Sequence, residues 1–409
     1  MGGKSKIAAF GMTLAFAAAL AGCSAGDSRA GGSPAVNFRG DARHTGVYAT
    51  NGPARFSHIK WSFATGGRIR SSPVYDNGTI FVGSDDNHLY AADAETGKLK
   101  WKFGTGGPVS SSPVVRDGVV YFLSGDGNFY AVNAATGKQR WKFVAGGTNG
   151  PRDVYDFWLS SSAIDGDTVY FGGGGGTFYA LDLANGKLRW KRELHFQNPD
   201  TYKDYPVTLH STPVVDDGVV YVGTQGIIEK LRTEPGNIVA LDAKTGEQLW
   251  ASPLMQAADP SPALDDNAVY AAGRNFPLVA LDRKTGKILW YSTGLQYTMS
   301  SPAVLNDTVY IGSSDQHELF AVSTKDGAVK WKYEALAAIH SSPVTDGKRI
   351  YFGSGDSYRD DNGYVYALDA KTGEEVSKLQ VGGNVFSTPT LHEGVLYVGS
   401  EDHNLYAVN

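Results

Sequence analysis

The chain is a succession of short apolar segments divided by turn residues, and the succession repeats. One turn of the repeat reads SSPVV, then VVYFLS, then a segment like LYALDA, then one like LKWKF, with pairs such as Asp117-Gly118 between them. Apolar runs of this length, bounded by Gly, Asp and Asn, are strand signals. Each unit is therefore expected to supply four strands, A to D in chain order.

The best-preserved part of the unit is Ala91 to Trp101, AADAETGKLKW. Its frame, Ala-x-Asp/Asn-x-x-Thr-Gly-x-x-x-Trp, returns at 131–141, 240–250 and 280–290, more loosely at 180–190 and 321–331, and at 367–377 with Ser377 in the tryptophan's place. Strand C ends in the Asp, Thr-Gly makes a tight turn, and strand D carries the Trp. Such a hairpin uses glycine for the positive φ of the turn and Asp or Asn to bond the turn's backbone. A tryptophan buries roughly 150–250 Å², a gross gain of about 4–6 kcal/mol at ~25 cal/mol per Å². Trp61, Trp101, Trp141, Trp190, Trp250, Trp290 and Trp331 are accordingly read as docking residues between units, not as catalytic groups.

The tryptophans are spaced by 40, 40, 49, 60, 40 and 41 residues. A period near 40 with several short strands per unit is the signature of a β-propeller blade. A second marker, Ser-Ser-Pro or a variant, keeps step at Pro73, Pro113, Ala163, Pro213, Pro262, Pro302, Pro343 and Pro389, which gives eight units. The frame begun at 407–409 lacks a Trp strand, and Ile59 to Phe63 supplies one from the other end. The expected fold class is all-β, an eight-bladed propeller of four-stranded blades over residues 37–409, its ring closed by an N-terminal strand that removes the free sheet edge. On this reading deletion of residues 24–56 is tolerated.

Lys4 and Lys6 precede an apolar run, Ile7 to Leu20, too short to span a bilayer and proportioned like a signal-peptide core. Leu20-Ala21-Gly22-Cys23 resembles a bacterial lipobox, which implies removal of residues 1–22 and acylation of Cys23. Cys23 is the only cysteine, so no disulfide is expected within the mature protein. Residues 23–36 read as the acylated cysteine and a flexible Ser/Gly/Ala-rich tether. The formal net charge is −5 and no Lys/Arg cluster longer than two follows the leader, which argues against a nucleic-acid partner. The expected location is the outer membrane, lipid-anchored and facing the periplasm, with the outer face of the cytoplasmic membrane as the alternative.

The tryptophan-docking frame and its eightfold recurrence resemble the pyrroloquinoline-quinone-type (quinoprotein-like) eight-bladed propellers, over about residues 37–409. That superfamily includes quinone-dependent dehydrogenases and the lipid-anchored outer-membrane assembly factor BamB. The dehydrogenases usually carry adjacent cysteines beside the cofactor, which a chain with Cys23 alone cannot supply, and their calcium ligands and catalytic base find no match here. No cofactor is therefore expected; pyrroloquinoline quinone or calcium would be the exception.

Where the repeats differ is also informative. Against the shortest copies, the D–A connection is longer by 10 residues at 148–159 and by 11 at 191–210, and the B–C connection by 9 at 224–237 and by 6 at 354–364. Because propeller strands alternate in direction, all four insertions fall on one face, and loops held by a rigid scaffold are where function concentrates. The residue three before each marker should line the channel mouth on that face: Arg70, Ser110, Ser160, His210, Asp259, Met299, His340 and Phe386. Arg70 would lie opposite Asp259, with His210 on the blade beside Asp259. These charged residues, with Leu209 and with Trp158 in a loop beside Tyr155 and Phe157, are the candidate binding residues; the competing reading is a solvated rim.

Two candidates are weaker. Asp356, Asp360, Asp361 and Asn362 gather oxygen atoms as a calcium loop would, but match no EF-hand spacing and read as a solvated hairpin tip. Gly172 to Gly176 lacks the helix of a phosphate cradle and reads as a place where backbone passes close to a neighbouring loop. No metal site and no Ser-His-Asp set is expected. Two function classes follow. The first is a non-catalytic, monomeric binding or scaffold lipoprotein that holds another envelope protein, as in outer-membrane protein assembly. The second is a quinone- or carbohydrate-binding propeller, with oxidoreductase activity as its enzymatic form.

Overall fold

The computed structural model describes residues 38–146, 160–198, 203–226, 235–254, 257–273, 276–296, 298–356 and 359–409. The apolar segments form strands as expected. In the first blade these are Val74–Asp76, Thr79–Ser84, His88–Asp93 and Leu99–Gly104, from the axis outward. Eight such four-stranded antiparallel sheets are present among the described residues, with one three-stranded sheet in addition. The eighth blade takes Thr390–His392, Val395–Gly399 and Asn404–Val408 from one end of the chain and Ile59–Ala64 from the other, with Trp61 opposite Ala407. The ring is closed, and no blade sheet has a missing strand. No helix among the described residues is long and apolar enough to cross a membrane.

The core lies between blades rather than inside them. Strands B and C are buried on both faces, so Val74, Phe81 and Leu89 of the first blade pack on Val115, Val120 and Phe122 of the second, and equivalent clusters recur around the ring. At the outer edge each of the seven tryptophans lies against the turn glycine of the following blade. Trp250 covers Gly286, for example, and its indole N–H donates to the Arg283 carbonyl at 3.1 Å. The tryptophans remain partly exposed, so their contribution falls below the full-burial figure. Ser377 breaks the series because the eighth blade, assembled from both chain ends, has no C–D turn to cover; the Phe56 N–H donates to Ser377 Oγ there at 3.0 Å instead.

The Ser-Ser-Pro marker has a structural cause. Its first hydroxyl accepts the N–H of the strand-B residue 12 positions on, as in Gly83 to Ser71 and Gly223 to Ser211, which staples strand A to strand B. Its second accepts an N–H from the preceding blade, as in Ser72 to Ser112 Oγ at 3.0 Å and Thr212 to Ser261 Oγ at 2.9 Å. Such links span seven of the eight junctions, including Thr388 to Ser72 across the join. This pattern corrects the third blade's register. Ser160 bonds to the Gly172 N–H and so takes the first-hydroxyl role, its strand being Ala163–Asp165. Ser160 is therefore not the mouth position of that blade, and the residue before it, Leu159, lies outside the described residues.

The residues before the closing strand, expected to be dispensable, make extensive contacts with the blades. Residues 38–53 form a strap across the face opposite the insertions. Carbonyls of Ala42, Arg43, Thr45 and Gly46 accept the strand-A N–H groups of Val215, Leu264, Val304 and Thr345, one in each of the fourth to seventh blades. The Arg43 guanidinium bridges Asp216 at 3.0 Å and Asp266 at 2.6 Å. His44 and Arg39 are almost fully buried. Missing this segment has a simple reason: irregular backbone leaves no periodic trace.

Candidate functional site

The strap turns the central channel into a cup. Phe38 projects into the channel as a floor, the second hydroxyls of the markers form the wall, and Arg70, Ser110, His210, Asp259, Met299, His340 and Phe386 stand at the mouth. Seven of the eight expected mouth positions therefore line one cavity; the eighth is the displaced third-blade position. Leu209 does not join them. It is buried in the core between the third and fourth blades and lies on Gly172. Trp158, Tyr155, Phe157 and Cys23 lie outside the described residues.

Eightfold geometry gives the mouth two different sides. Met299, His340 and Phe386 come from the sixth, seventh and eighth blades and form an apolar arc, in which the Phe386 ring meets His340 edge-on at 4.6 Å. Arg70, Ser110, His210 and Asp259 come from the first, second, fourth and fifth blades and form a polar arc. Arg70 is held in place by two carboxylates, donating from Nε to Glu401 at 2.8 Å and from Nη1 to Asp85 at 3.2 Å. Ser110 Oγ donates to the other oxygen of Asp85 at 3.1 Å. His210 Nδ1 lies 3.5 Å from Asp259 Oδ1. The Asp85 and Glu401 residues sit in B–C turns and were not singled out from sequence; an acid at that turn position in adjacent blades was the available signal.

Burial sets the protonation of this region. Removal from water raises the Asp85 carboxyl above its ordinary range, an effect opposed by Arg70. Burial pushes the His340 imidazole down to about 4, with a further lowering by His317, so the ring is neutral near pH 7. The Arg70 charge is thus already answered by carboxylates, and His340 adds none.

Two insertions meet on the mouth face. In the D–A connection after the third blade His195–Gln197 pairs with Asp204–Thr208, which pairs in turn with Gln225–Gly226 of the next blade's B–C connection. The Asn237 side-chain amide donates to the His195 carbonyl at 3.2 Å and secures the edge of this small sheet. His195, Gln197, Lys203, Asp204 and Pro206 are exposed on it. The glycine run lets it approach: a Cβ at Gly176 would lie 2.6 Å from the Val207 carbonyl oxygen. The longer B–C connection of the seventh blade is an extension of its strands, Arg349–Asp356 and Arg359–Asp369, with Asp356 opposite Arg359. The side chains of Asp360, Asp361 and Asn362 are not among those described, and among the described residues no three His, Cys, Asp or Glu side chains converge as metal ligands.

Residues 49–235, 234–358 and 334–409 match the family model of the outer membrane protein assembly factor BamB. Among solved structures the chain is similar to a quinohemoprotein alcohol dehydrogenase from Comamonas testosteroni, with a TM-score of 0.72 and 16% identity over 94% of this chain and 81% of that one. It is similar to a europium-containing methanol dehydrogenase at 0.69 and 16%, over 89% and 88% of the two chains. BamB from Moraxella catarrhalis aligns at 0.52 and 18%, over 86% of this chain and 99% of its own. At these identities the likeness is one of fold. No curated protein matches the sequence.

Proposed function

Because the chain belongs to the family of the outer membrane protein assembly factor BamB, we propose that it is a non-catalytic envelope scaffold that holds another envelope protein in outer-membrane protein assembly. The observation that carries this reading is the one-sidedness of the variable structure. The insertion sheet stands on the mouth face, whereas the opposite face is crossed by the strap and edged by near-identical Asp-x-x-Thr-Gly turns. Long loops add only ~0.6 kcal/mol of closure entropy per doubling, so the ring tolerates them anywhere and their clustering has another cause. That cause is a bound partner.

The quinoprotein alternative is less well served by the residues present. A tricyclic quinone bearing three carboxylates would bring its charge to a mouth lined by Asp259, where the Arg70 guanidinium is already bridged by Glu401 and Asp85. The pocket residues thus do not fit that cofactor.

The anchor belongs to the same proposal: acylated Cys23 holds the ring at the outer membrane, facing the periplasm. Photo-crosslinkers at Lys203, Pro206 and Gln197 should capture an envelope protein in membranes, and those at Lys98, Lys138 and Lys287 in the C–D turns should not. A stronger specific crosslink from the C–D turns refutes the assignment of the face. Cys23→Ala should abolish labelling by fatty acid; undiminished labelling refutes the anchor.

A further inference from the structure

We propose that the outer wall of the first three blades is a docking surface for a membrane of anionic phospholipids. The wall lies on the side of the ring and not at its mouth, so this proposal and the partner reading stand or fall separately.

Three neighbouring outer strands make the wall: Leu99–Gly104, Gln139–Val144 and Leu188–Glu193. Counted from three residues before each tryptophan to three after it, residues 98–104, 138–144 and 187–193 carry ten Lys or Arg and one acid, Glu193. The same windows of the other five blades hold five Lys and four acids between them. A chain of formal net charge −5 thus gathers positive charge on one side. In sequence these cations never run more than two together, because they alternate with strand positions that face the next blade. Assembly of the ring sets the three rows side by side.

Three of the ten are already engaged. Lys100 Nζ lies 3.3 Å from Asp93, Arg189 holds Asp167 at 2.7 Å and Asp182 at 2.9 Å, and Arg192 donates to the Gly246 carbonyl at 3.3 Å. The other seven are exposed, and none has a carboxylate partner among the described residues. Lys98, Lys138 and Lys187 close the C–D turns, and Arg140 precedes a tryptophan. Lys102, Lys142 and Lys191 follow the tryptophans and stand on the opposite strand face from them. Aliphatic side chains are set among these cations. Leu99 is 49% exposed and Leu188 46%, while Val144, on the same strand face as Lys142, is 68% exposed, more than any other large apolar residue described.

Lysine on an edge strand serves elsewhere to discourage edge-to-edge pairing. That protection is needed at all eight outer strands, yet the fourth and fifth place Leu249 and Leu289 where Arg140 stands, and Ala251 and Tyr291 where Lys142 stands. The basic sector therefore has another cause. Anionic headgroups answer the ammonium and guanidinium groups, at about fivefold in partition per cation near the surface, and the acyl boundary takes up exposed aliphatic side chains. A nucleic-acid backbone would use the cations and leave Leu99, Val144 and Leu188 in water. The wall is convex with the second blade at its crest, so a flat bilayer meets that blade first and the first and third at its flanks.

Fourteen residues separate Cys23 from Phe38, and a flexible linker of that length reaches roughly 20 Å. An acylated Cys23 would keep the ring near the bilayer without choosing which side faces it. The wall makes that choice: it lays the ring on its side, with the mouth opening along the membrane plane.

The test uses the processed chain, residues 24–409, which holds the whole ring and strap and no acyl group. It is sedimented with vesicles of phosphatidylcholine alone or with about one third phosphatidylglycerol. Partition into the anionic vesicles alone is expected, and it should fall at least tenfold between about 50 and 500 mM salt, over which the Debye length shrinks about threefold. Lys102→Ala/Lys142→Ala/Lys191→Ala should partition about a hundredfold more weakly. Val144→Ser should weaken partition a few fold with the salt dependence unchanged. Lys287→Ala/Lys332→Ala/Lys378→Ala has the same net charge as the first triple variant and should behave as the parent. All of these side chains are exposed, so each variant should keep the parent's melting temperature. Equal loss in the two triple variants, equal partition into neutral and anionic vesicles, or none into either overturns the proposal. Binding to a DNA duplex with none to vesicles overturns it as well and assigns the wall to nucleic acid.

Discussion

The Thr388 N–H donates to Ser72 Oγ at 2.9 Å, joining residues that are 316 positions apart in the chain. Chemically this junction is the same as those between consecutive blades, although here the chain itself provides no connection. Ser72→Ala leaves the Thr388 N–H buried and unmatched, at a cost of about 1–3 kcal/mol. Urea unfolding should give a lower midpoint with an unchanged slope. Ser261→Ala removes the same bond where the chain is continuous, and the two losses should agree within about 0.5 kcal/mol, the scatter of independent sites.

Gly286 has φ +69°, and a Cβ added there would lie 2.6 Å from the Trp250 ring. Gly286→Ala combines left-handed strain of about 1–2 kcal/mol with displacement of the indole. Gly118, at φ +70° with open space around it, carries the strain alone. The expected order of urea midpoints is wild type, Gly118→Ala, Gly286→Ala, and equality of the two variants would show that the tryptophan does not depend on the close approach.

A chain starting at residue 57 instead of residue 38 loses the cup's floor, six main-chain hydrogen bonds between the strap and the blades among the described residues, and the Arg43 bridge. At ~0.5–1.5 kcal/mol per hydrogen bond, it should melt several degrees lower or fail to accumulate as a folded species. Thermal scans of the two chains decide the matter, and equal melting temperatures would make the strap ornamental.

His340 titrates at about 4 in the folded protein, against 6.5 for an ordinary imidazole, with burial as the main cause and His317 adding to it. Between these values the unfolded chain binds the extra proton, so stability rises with pH through the window and is lost as pH falls from about 6.5 towards 4. The loss is on the order of 3 kcal/mol at ~1.4 kcal/mol per unit. His44, held at about 3 by burial and by Arg39, extends the same trend to lower pH. His340→Leu should flatten the slope of unfolding free energy between pH 6.5 and 4.5, and an unchanged slope would refute the assignment to His340.

What could be read from the sequence was what repeats. The Trp frame and Ser-Ser-Pro marker give blade count, strand order, closure and seven of the eight mouth positions, because each recurs with the geometry it serves. Ser160 was misplaced since three consecutive serines offer two registers, and only the Gly172 bond separates them. Leu209 went astray for a related reason: proximity to His210 in sequence says nothing of side, and its side chain turns into the core. The strap was missed because Phe38 to Pro53 bonds through main chain to strands 170 to 300 residues away, an arrangement with no local signature.

The seam of the eighth blade also orders events in time. Trp61 pairs beside Ala407, 346 residues later, so Ile59–Ala64 is made first and matched last. At synthesis rates of ~5–20 residues per second the strand waits on the order of tens of seconds for its neighbour. Until then it presents an alternating apolar edge that any other unpaired strand could join, and pairing over such sequence distances is intrinsically slow. A second nascent copy offers the same complement, Asn404–Val408, in the same register. The device that seals one ring is therefore also the route by which two unfinished rings would exchange strands.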